Sequence, residues 1–399
     1  MTFTNVKYLM TDKTIKKPQL YIGLMSGTSA DGIDLALVDF SSSKIELIAS
    51  YYQAYDETTY QKITALYQPT FNEIDNAFAL NVLLAKQFAH AIEQFIAKEQ
   101  LDISDISAIG NHGQTIRHRP NVTNEITAPF TLQIGCNQTL ATLTGLRVIG
   151  DFRTKDIVLG GQGAPLVPAF HKALFPHENQ DVFVVNIGGI ANITYLPADK
   201  KASILGFDTG PGNALIDNWY KAHKNGRFDN NGEWAQSGTV NTTLLQQFLT
   251  DDYLQQPAPK STGREYFTLD WVKNYLTQHN EQPLTENTPN KPLLNEDIQA
   301  TLTLLTAQTI ADQIHLLSRE GNVYLCGGGV LNSVLINHIK QNLNNFNVTN
   351  SDAININSDA LEACAFAWFA YAFDKKIPGN IPAVTGACKE TVLGIEYSP

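Results

Sequence analysis

The sequence predicts a mixed α/β protein built from two similarly ordered halves. Three observations carry that expectation. An order of strand, turn, strand, strand, helix and strand occurs twice, although the halves share little literal sequence. Apolar runs break into glycine-rich turns after strands in three places, within 21–34, 202–213 and 322–332. Covering segments of helical period follow the strands, which favours layered α/β sheets over an all-β sandwich.

Residues 21–26 and 33–40 read as strands around the first turn, and 44–55 as a third. A helical region over 76–97 follows, with Phe78, Leu80, Leu83, Leu84, Phe88 and Ile92 at roughly helical spacing. Residues 106–110 form a strand feeding Asn111-His112-Gly113; 135–145 has helical character, and 147–150 is a short strand ending at Asp151. The second half repeats the order with strands 182–187, 192–196 and 202–207, a Pro-interrupted turn and a helix over 214–220. A polar, loop-rich insert covers about 221–292. Helix 297–318 precedes strand 322–326, and 360–371 is an apolar helix with one early acid, Glu362.

The turns carry the chemistry. Ser26, Gly27, Thr28 and Ser29 have little or no side chain, so their backbone N–H groups can crowd around an anion. Asp31 and Asp34 beside them do not suit a site that only holds an anion. They suit a divalent metal or a proton to be removed. A plain hairpin turn is the alternative, since Gly, Ser and Asp dominate turns. In the second half Asp208 stands directly before Thr209-Gly210-Pro211-Gly212, and Cys326-Gly327-Gly328-Gly329 leads from a buried-looking strand into a helix start. Such turns let the backbone approach a nucleotide closely. Neither the P-loop nor the dinucleotide fingerprint is present in the right place, so a bound nucleotide would be held by turns from both halves.

Composition narrows the class. The length, 399 residues, suits two domains. With 43% apolar and 17% charged residues it is ordinary for a globular protein, and a net charge of −11 argues against a nucleic-acid surface. Arg117-His118-Arg119 is the dense basic spot and suits a substrate or phosphate contact. Cys136, Cys326, Cys364 and Cys388 are too widely spaced for a disulfide scaffold or a zinc site and read as reduced thiols. Residues 1–20 lack the apolar core of a signal peptide, and no apolar run is long enough to span a membrane. A cytoplasmic protein is expected.

Seven motifs stand in order: GLMSGTSADGID (23–34), GNHGQT (110–115), GDFR (150–153), GGQGAPLVP (160–168), NIGGIANIT (186–194), FDTGPGN (207–213) and CGGG (326–329). On them the chain resembles the anhydro-N-acetylmuramic acid kinase family from about Tyr21 to the C-terminus, with the stretch before Tyr21 a private extension. The first and sixth motifs are highly specific. The resemblance implies two ribonuclease H-like domains of the actin/hexokinase type, with the nucleotide in the cleft between them. Its domains would be 18–155 plus 363–399, holding the first phosphate turn, and 156–362, holding the second phosphate turn and the adenosine site. It also implies a kinase using ATP and Mg²⁺ that hydrolyses the 1,6-anhydro bond of anhydro-N-acetylmuramic acid and phosphorylates O6. The product would be N-acetylmuramic acid 6-phosphate, in peptidoglycan recycling.

Under that resemblance Asp208 is the general base, with a turn-capping Asp as the structural alternative. Gly27, Thr28, Ser29, Ala30, Asp31, Gly32, Ile33 and Asp34 form the first phosphate turn, with Mg²⁺ near Asp31 through water and no direct protein ligand assigned. Gly210, Gly212 and Asn213 form the second. Gly327, Gly328, Gly329 and Asn332 lie on the adenosine side, or else make a tight strand-to-helix turn. Asn111, His112, Asp151, Arg153 and Glu362 bind the sugar, Arg153 suiting the lactyl carboxylate. Each has a structural alternative: a satisfied core histidine, an Asp151–Arg153 ion pair, a helix-dipole role for Glu362. Gln162 and Gly163 line the cleft; Lys260, Ser261, Thr262 and Arg264 offer anion-binding chemistry; Phe366 and Trp368 are core. The partner is a small amino sugar, without nucleic acid or membrane, and a homodimer is the default assembly. An ordinary sugar kinase and a chaperone-like or actin-like ATPase are the competing readings.

Overall fold

The computed structural model describes residues 19–124, 126–263, 265–281 and 293–399. Arg264 and all but the last two residues of the N-terminal stretch lie outside the described residues. The first half contains strands β1 (Leu20–Ser26), β2 (Gly32–Asp39) and β3 (Glu46–Ala54), helices α1 (Glu57–Ala65) and α2 (Glu73–Lys98), then β4 (Ile106–Arg119) and β5 (Phe130–Ile134). It continues with α3 (Asn137–Thr144), β6 (Val148–Gly150), α4 (Thr154–Val158) and α5 (Val167–Leu174). The second half opens with β7 (Val182–Ile187), β8 (Ile190–Leu196), β9 (Leu205–Pro211) and α6 (Asn213–His223). Helices α7 (Glu233–Ser237), α8 (Thr242–Leu249), α9 (Leu269–Glu281) and α10 (Asn295–Leu317) lead to β10 (Gly321–Cys326), α11 (Ser333–Asn342) and β11 (Phe346–Asn350). Helices α12 (Leu361–Lys375) and α13 (Pro382–Thr385) and strand β12 (Ile395–Tyr397) close the chain.

The two sheets repeat one topology. The first runs β12-β6-β4-β1-β2-β3 with β5 also on β4, and the second runs β11-β10-β7-β8-β9. In each half the first strand pairs antiparallel with the second and the second with the third. The first also pairs parallel with the fourth, and the fourth pairs parallel with β6 in the first sheet and with β11 in the second. The duplication expected from element order is therefore a duplication of strand pairing.

Helix α12 is buried nearly all round, as an apolar helix with no polar face must be. It packs on β1, β2 and β4. Its Phe366, Trp368 and Phe369 share a core with Phe170 and Phe175 and with Val182, Val184 and Leu196 of the second sheet. Phe366 and Trp368 are core, as expected. The approach to the first sheet is close: a Cβ on Gly23 would stand 1.8 Å from the Ala363 carbonyl oxygen, and one on Gly110 1.9 Å from that of Phe366.

Three expectations are corrected. The strand expected over 106–110 continues to Arg119, because β5 supplies a partner for its far end. Asn111 and His112 are thus strand residues, not loop residues. Second, Asp208 to Pro211 lie within β9, paired with β8, so Gly210 belongs to a strand. Third, the described part of the insert carries helices α7, α8 and α9, and its Leu244, Phe248 and Phe267 share a core with Trp219 of α6 and Leu302 of α10. Its polar composition hid apolar positions at helical spacing.

Candidate active site

The first turn stands between β1 and β2 and closes with an Ala30 N–H to Gly27 carbonyl bond of 3.0 Å. Thr28 and Asp31 are exposed, whereas Ala30 and Ile33 are fully buried in the core under the sheet. Those two contribute backbone only. Gly32 is required by crowding, since a Cβ would meet the Gln53 carbonyl at 2.5 Å. Gln114 scaffolds the turn: its amide donates to the Gly27 carbonyl at 3.1 Å, and its oxygen lies 2.6 Å from Ser26 Oγ. The Tyr67 hydroxyl donates to the Thr28 carbonyl at 2.9 Å. Ser26 is wholly buried in this network, so its hydroxyl does not line an anion site. Arg117, expected to contact phosphate, instead donates to Glu73 at 2.6 Å and to the Leu66 carbonyl.

The equivalent of this turn in the second sheet lies between β7 and β8, at Gly188 and Gly189. The backbone N–H groups of Gly212 and Asn213 donate to the carbonyls of Gly189 and Gly188 at 2.9 and 2.8 Å. A Cβ on Gly212 would stand 2.3 Å from the Gly188 carbonyl oxygen. Gly212 and Asn213 therefore shape the Gly188–Gly189 turn from behind. In the third turn Gly328 is exposed and open to approach, while a Cβ on Gly327 or Gly329 would strike Asn186 or Ile187. Asn332 caps α11, its side chain accepting from the Leu335 N–H at 3.1 Å. A cavity of about 340 Å³ lined by Tyr220, Lys224, Asn230, Glu233 and Trp234 opens beside this turn. Its neighbour Asn231 bonds to Ser333.

Asp208 is half-buried on β9. Its Oδ2 accepts from the Thr262 N–H at 3.0 Å and from Ser261 Oγ at 3.1 Å. Burial raises its pKa and these two donors hold it down, with burial the larger effect. Strand register aligns Asn186 with Asn192 and Asn192 with Asp208. Directly paired residues put their side chains on one face, so these three form a polar row across the sheet. The row reaches α12, where the Asn186 amide donates to Glu362 at 3.4 Å.

Glu362, in the first turn of α12, is where the halves converge. Burial raises its pKa and the charge of Arg153 lowers it. Asp34 is raised to about 7, first by burial and then by the charges of Asp31, Glu362 and Asp359. Arg153 donates to the Gly163 carbonyl at 2.8 Å and to His112 rather than to Asp151. His112 sits on a β-bulge: β1 pairs Leu24 with Asn111 and Ser26 with Gln114, so β4 carries one extra residue there. Gly113 takes the left-handed conformation this needs, with φ +73°. Asn111 points inward, its amide engaged by the Gly135 carbonyl and Asn137 and its oxygen by the Gly113 N–H. It shapes the bulge and presents no free polar group. Asp151 follows β6 at φ 54°, a left-handed conformation that non-glycine residues adopt uncommonly and Asp more readily than most.

The structure thus brings Asp208, Glu362, Arg153, His112, Asp31 and Asp34 to the gap between the sheets. Lys260 turns away from it. Asn186, Gly188, Gly189 and Asn192 stand in the NIGGIANIT motif but were given no site role from sequence, although Asn inside β-strands is depleted and two in one hairpin are a signal.

Two sheets of one topology, each with a glycine turn after its first strand and acidic residues between them, define the actin/hexokinase type of fold. The chain matches the anhydro-N-acetylmuramic acid kinase family over residues 19–399. It is 54% identical to the anhydro-N-acetylmuramic acid kinase of Colwellia psychrerythraea, covering 98% of this chain and 100% of that one. Identity to the same kinase of Saccharophagus degradans is 46%, over 96% and 100%. Among solved structures it is similar to the activator of the 2-hydroxyisocaproyl-CoA dehydratase from Clostridium difficile with bound ADPNP, at 13% identity, 90% and 95% coverage and TM-score 0.44. This chain belongs to the anhydro-N-acetylmuramic acid kinase family and is a kinase of its anhydro amino sugar.

Proposed function

We propose that Asp208 is the base of a coupled hydrolysis and phosphoryl transfer. It takes a proton from the water whose oxygen bonds to the anomeric carbon of 1,6-anhydro-N-acetylmuramic acid. The C1–O6 bond breaks, and O6 bonds to the γ-phosphorus of ATP as ADP leaves. The carrying observation is the placement of Asp208: half-buried, held by two donors, and on the same sheet face as Asn192 and Asn186. A carboxylate so held keeps one orientation toward the water it is to deprotonate.

The geometry supports the remaining roles. Backbone N–H groups of Gly27, Thr28, Ser29 and Asp31 and of Gly188 and Gly189 face the phosphates, and Gly328 faces the adenosine. Arg153 has five N–H groups, three of them engaged by His112 and Gly163, which leaves one on each terminal nitrogen as a pair for the lactyl carboxylate. Asp151 and Glu362 meet sugar hydroxyls. Among the described residues no cluster of three or more His, Cys, Asp or Glu is arranged to hold a metal. The oxygen-rich surroundings of Asp34 nevertheless suit Mg²⁺ held through water and phosphate, because a cation relieves the carboxylate repulsion that, after burial, adds to the rise of Asp34. Bound there, Mg²⁺ would neutralise phosphate charge.

Domains of 18–155 plus 363–399 and 156–362, a cytoplasmic location and a twofold dimer belong to the same proposal. Among the described residues no helix is long and apolar enough to cross a membrane. The test is incubation with ATP, Mg²⁺ and the anhydro sugar in ¹⁸O-water, read by mass spectrometry. Labelled 6-phosphorylated product from the parent, and none from Asp208→Asn, is expected. Unlabelled product would indicate an ordinary sugar kinase, and full activity of Asp208→Asn would remove the base assignment.

A further inference from the structure

We infer that Lys260 and Tyr253 are positioning residues for Asp208, locking segment 253–262 so that it holds the Asp208 carboxylate in one orientation. The inference rests on the reading of Asp208 as the base.

Strand β9 is the edge of its sheet, and an edge strand leaves backbone N–H and C=O groups without sheet partners. At Asp208 the insert takes both groups. The Asp208 N–H donates to the Lys260 carbonyl at 2.9 Å, and its carbonyl accepts from the Tyr253 hydroxyl at 2.9 Å. One and two residues past Lys260, Ser261 and Thr262 reach the carboxylate itself. Backbone and side chain of one residue are thus gripped by one short segment.

Lys260 closes that segment on itself. Its ammonium donates to the carbonyls of Tyr253 and Leu254, each at 3.0 Å, and lies 4.8 Å over the Tyr253 ring. The residue is only 7% exposed, and among the described residues no carboxylate lies within ion-pair distance of it. A cation buried on backbone carbonyls is costly to keep, so an arginine-like surface role does not explain it. The far end is anchored in turn. Asp251 accepts from the Tyr253 N–H, from Trp271 Nε1 at 2.9 Å and from the Tyr266 hydroxyl at 3.0 Å, fixing the segment to the insert core.

The test compares Lys260→Met, Lys260→Arg and Tyr253→Phe with the parent, measuring kcat, both KM values and the pH profile of kcat. Expected for Lys260→Met and Tyr253→Phe is a kcat loss on the order of ten- to a hundredfold with both KM values nearly unchanged. The acid limb of kcat should move to higher pH, because the donors that hold the Asp208 carboxyl down loosen. The titratable groups on the gripping segment are the Tyr253 phenol, raised by burial, and the Lys260 ammonium, lowered by burial. Asp34 and Glu362, also raised, are the same in parent and variants, so a shift of the acid limb between them reports Asp208. Lys260→Arg should recover part of kcat. If Lys260→Met does not fold, Tyr253→Phe, which deletes one oxygen, decides alone. Parental kcat and acid limb in Tyr253→Phe, or a rise in KM alone, would overturn the inference. An inactive Asp208→Asn beside a parental Tyr253→Phe leaves the base assignment standing and removes only this inference. An active Asp208→Asn removes the base assignment itself.

Discussion

Nε and Nη2 of Arg153 both point at Nε2 of His112, at 3.3 and 2.9 Å. A guanidinium only donates, so Nε2 accepts and the ring proton sits on Nδ1, facing the Gly113 carbonyl at 2.8 Å. Burial and then the Arg153 charge lower the His112 pKa to about 3. The histidine is therefore a neutral strut that orients Arg153, and it plays no acid–base part at neutral pH.

His112 should remain the neutral Nδ1–H tautomer from pH 8 down to pH 5, read by ¹⁵N NMR of the imidazole. A ring that charges at pH 6 would contradict the Arg153 contact. Arg153→Lys keeps the charge but loses the fork. Its sugar KM should rise roughly ten- to a hundredfold, the worth of about 1.5–3 kcal/mol for hydrogen bonds to a charged group.

Asp34 makes stability fall with rising pH. Its folded pKa is about 7, whereas an unfolded Asp titrates near ~4. Between those values the folded protein keeps a proton that the unfolded chain has released, so its contribution is lost as pH rises through 7. Asp34→Asn cannot ionise. Relative to the parent it should gain roughly 2–3 kcal/mol between pH 5 and pH 8 in urea titrations without nucleotide. A pH-independent difference would show that the carboxyl is not held protonated.

Gly23 and Gly110 let α12 lie directly on the first sheet. Gly23→Ala or Gly110→Ala places a methyl inside backbone atoms that have nowhere to move, and should lower stability by about 3 kcal/mol or more. Thermal melting measures this. A melting temperature within a degree or two of the parent would mean that the helix seats farther from the strands.

Asn332→Ala separates a cap from a nucleotide contact. Loss of the α11 cap should cost about 1 kcal/mol of stability with the KM for ATP nearly unchanged. A tenfold rise in that KM would place the side chain on the adenosine.

Element order, the positions of most strands and the first and third glycine turns were readable from the chain alone. Apolar period, turn chemistry and glycine placement are local properties, and Asp208 and Glu362 stand out locally as acids against small or apolar neighbours. The site partners were not readable in this way. Arg117 reads as a phosphate ligand until Glu73 and the Leu66 carbonyl claim it. Lys260 likewise turns from the cleft to the carbonyls of its own loop. Asn111 joins the Gly135 corner. The length of β4 depends on β5, and the place of the second glycine turn on which strands pair in the second sheet. A local pattern says what a residue can bond to. Only the tertiary structure decides which of the competing partners, distant in sequence, arrives within about 3 Å.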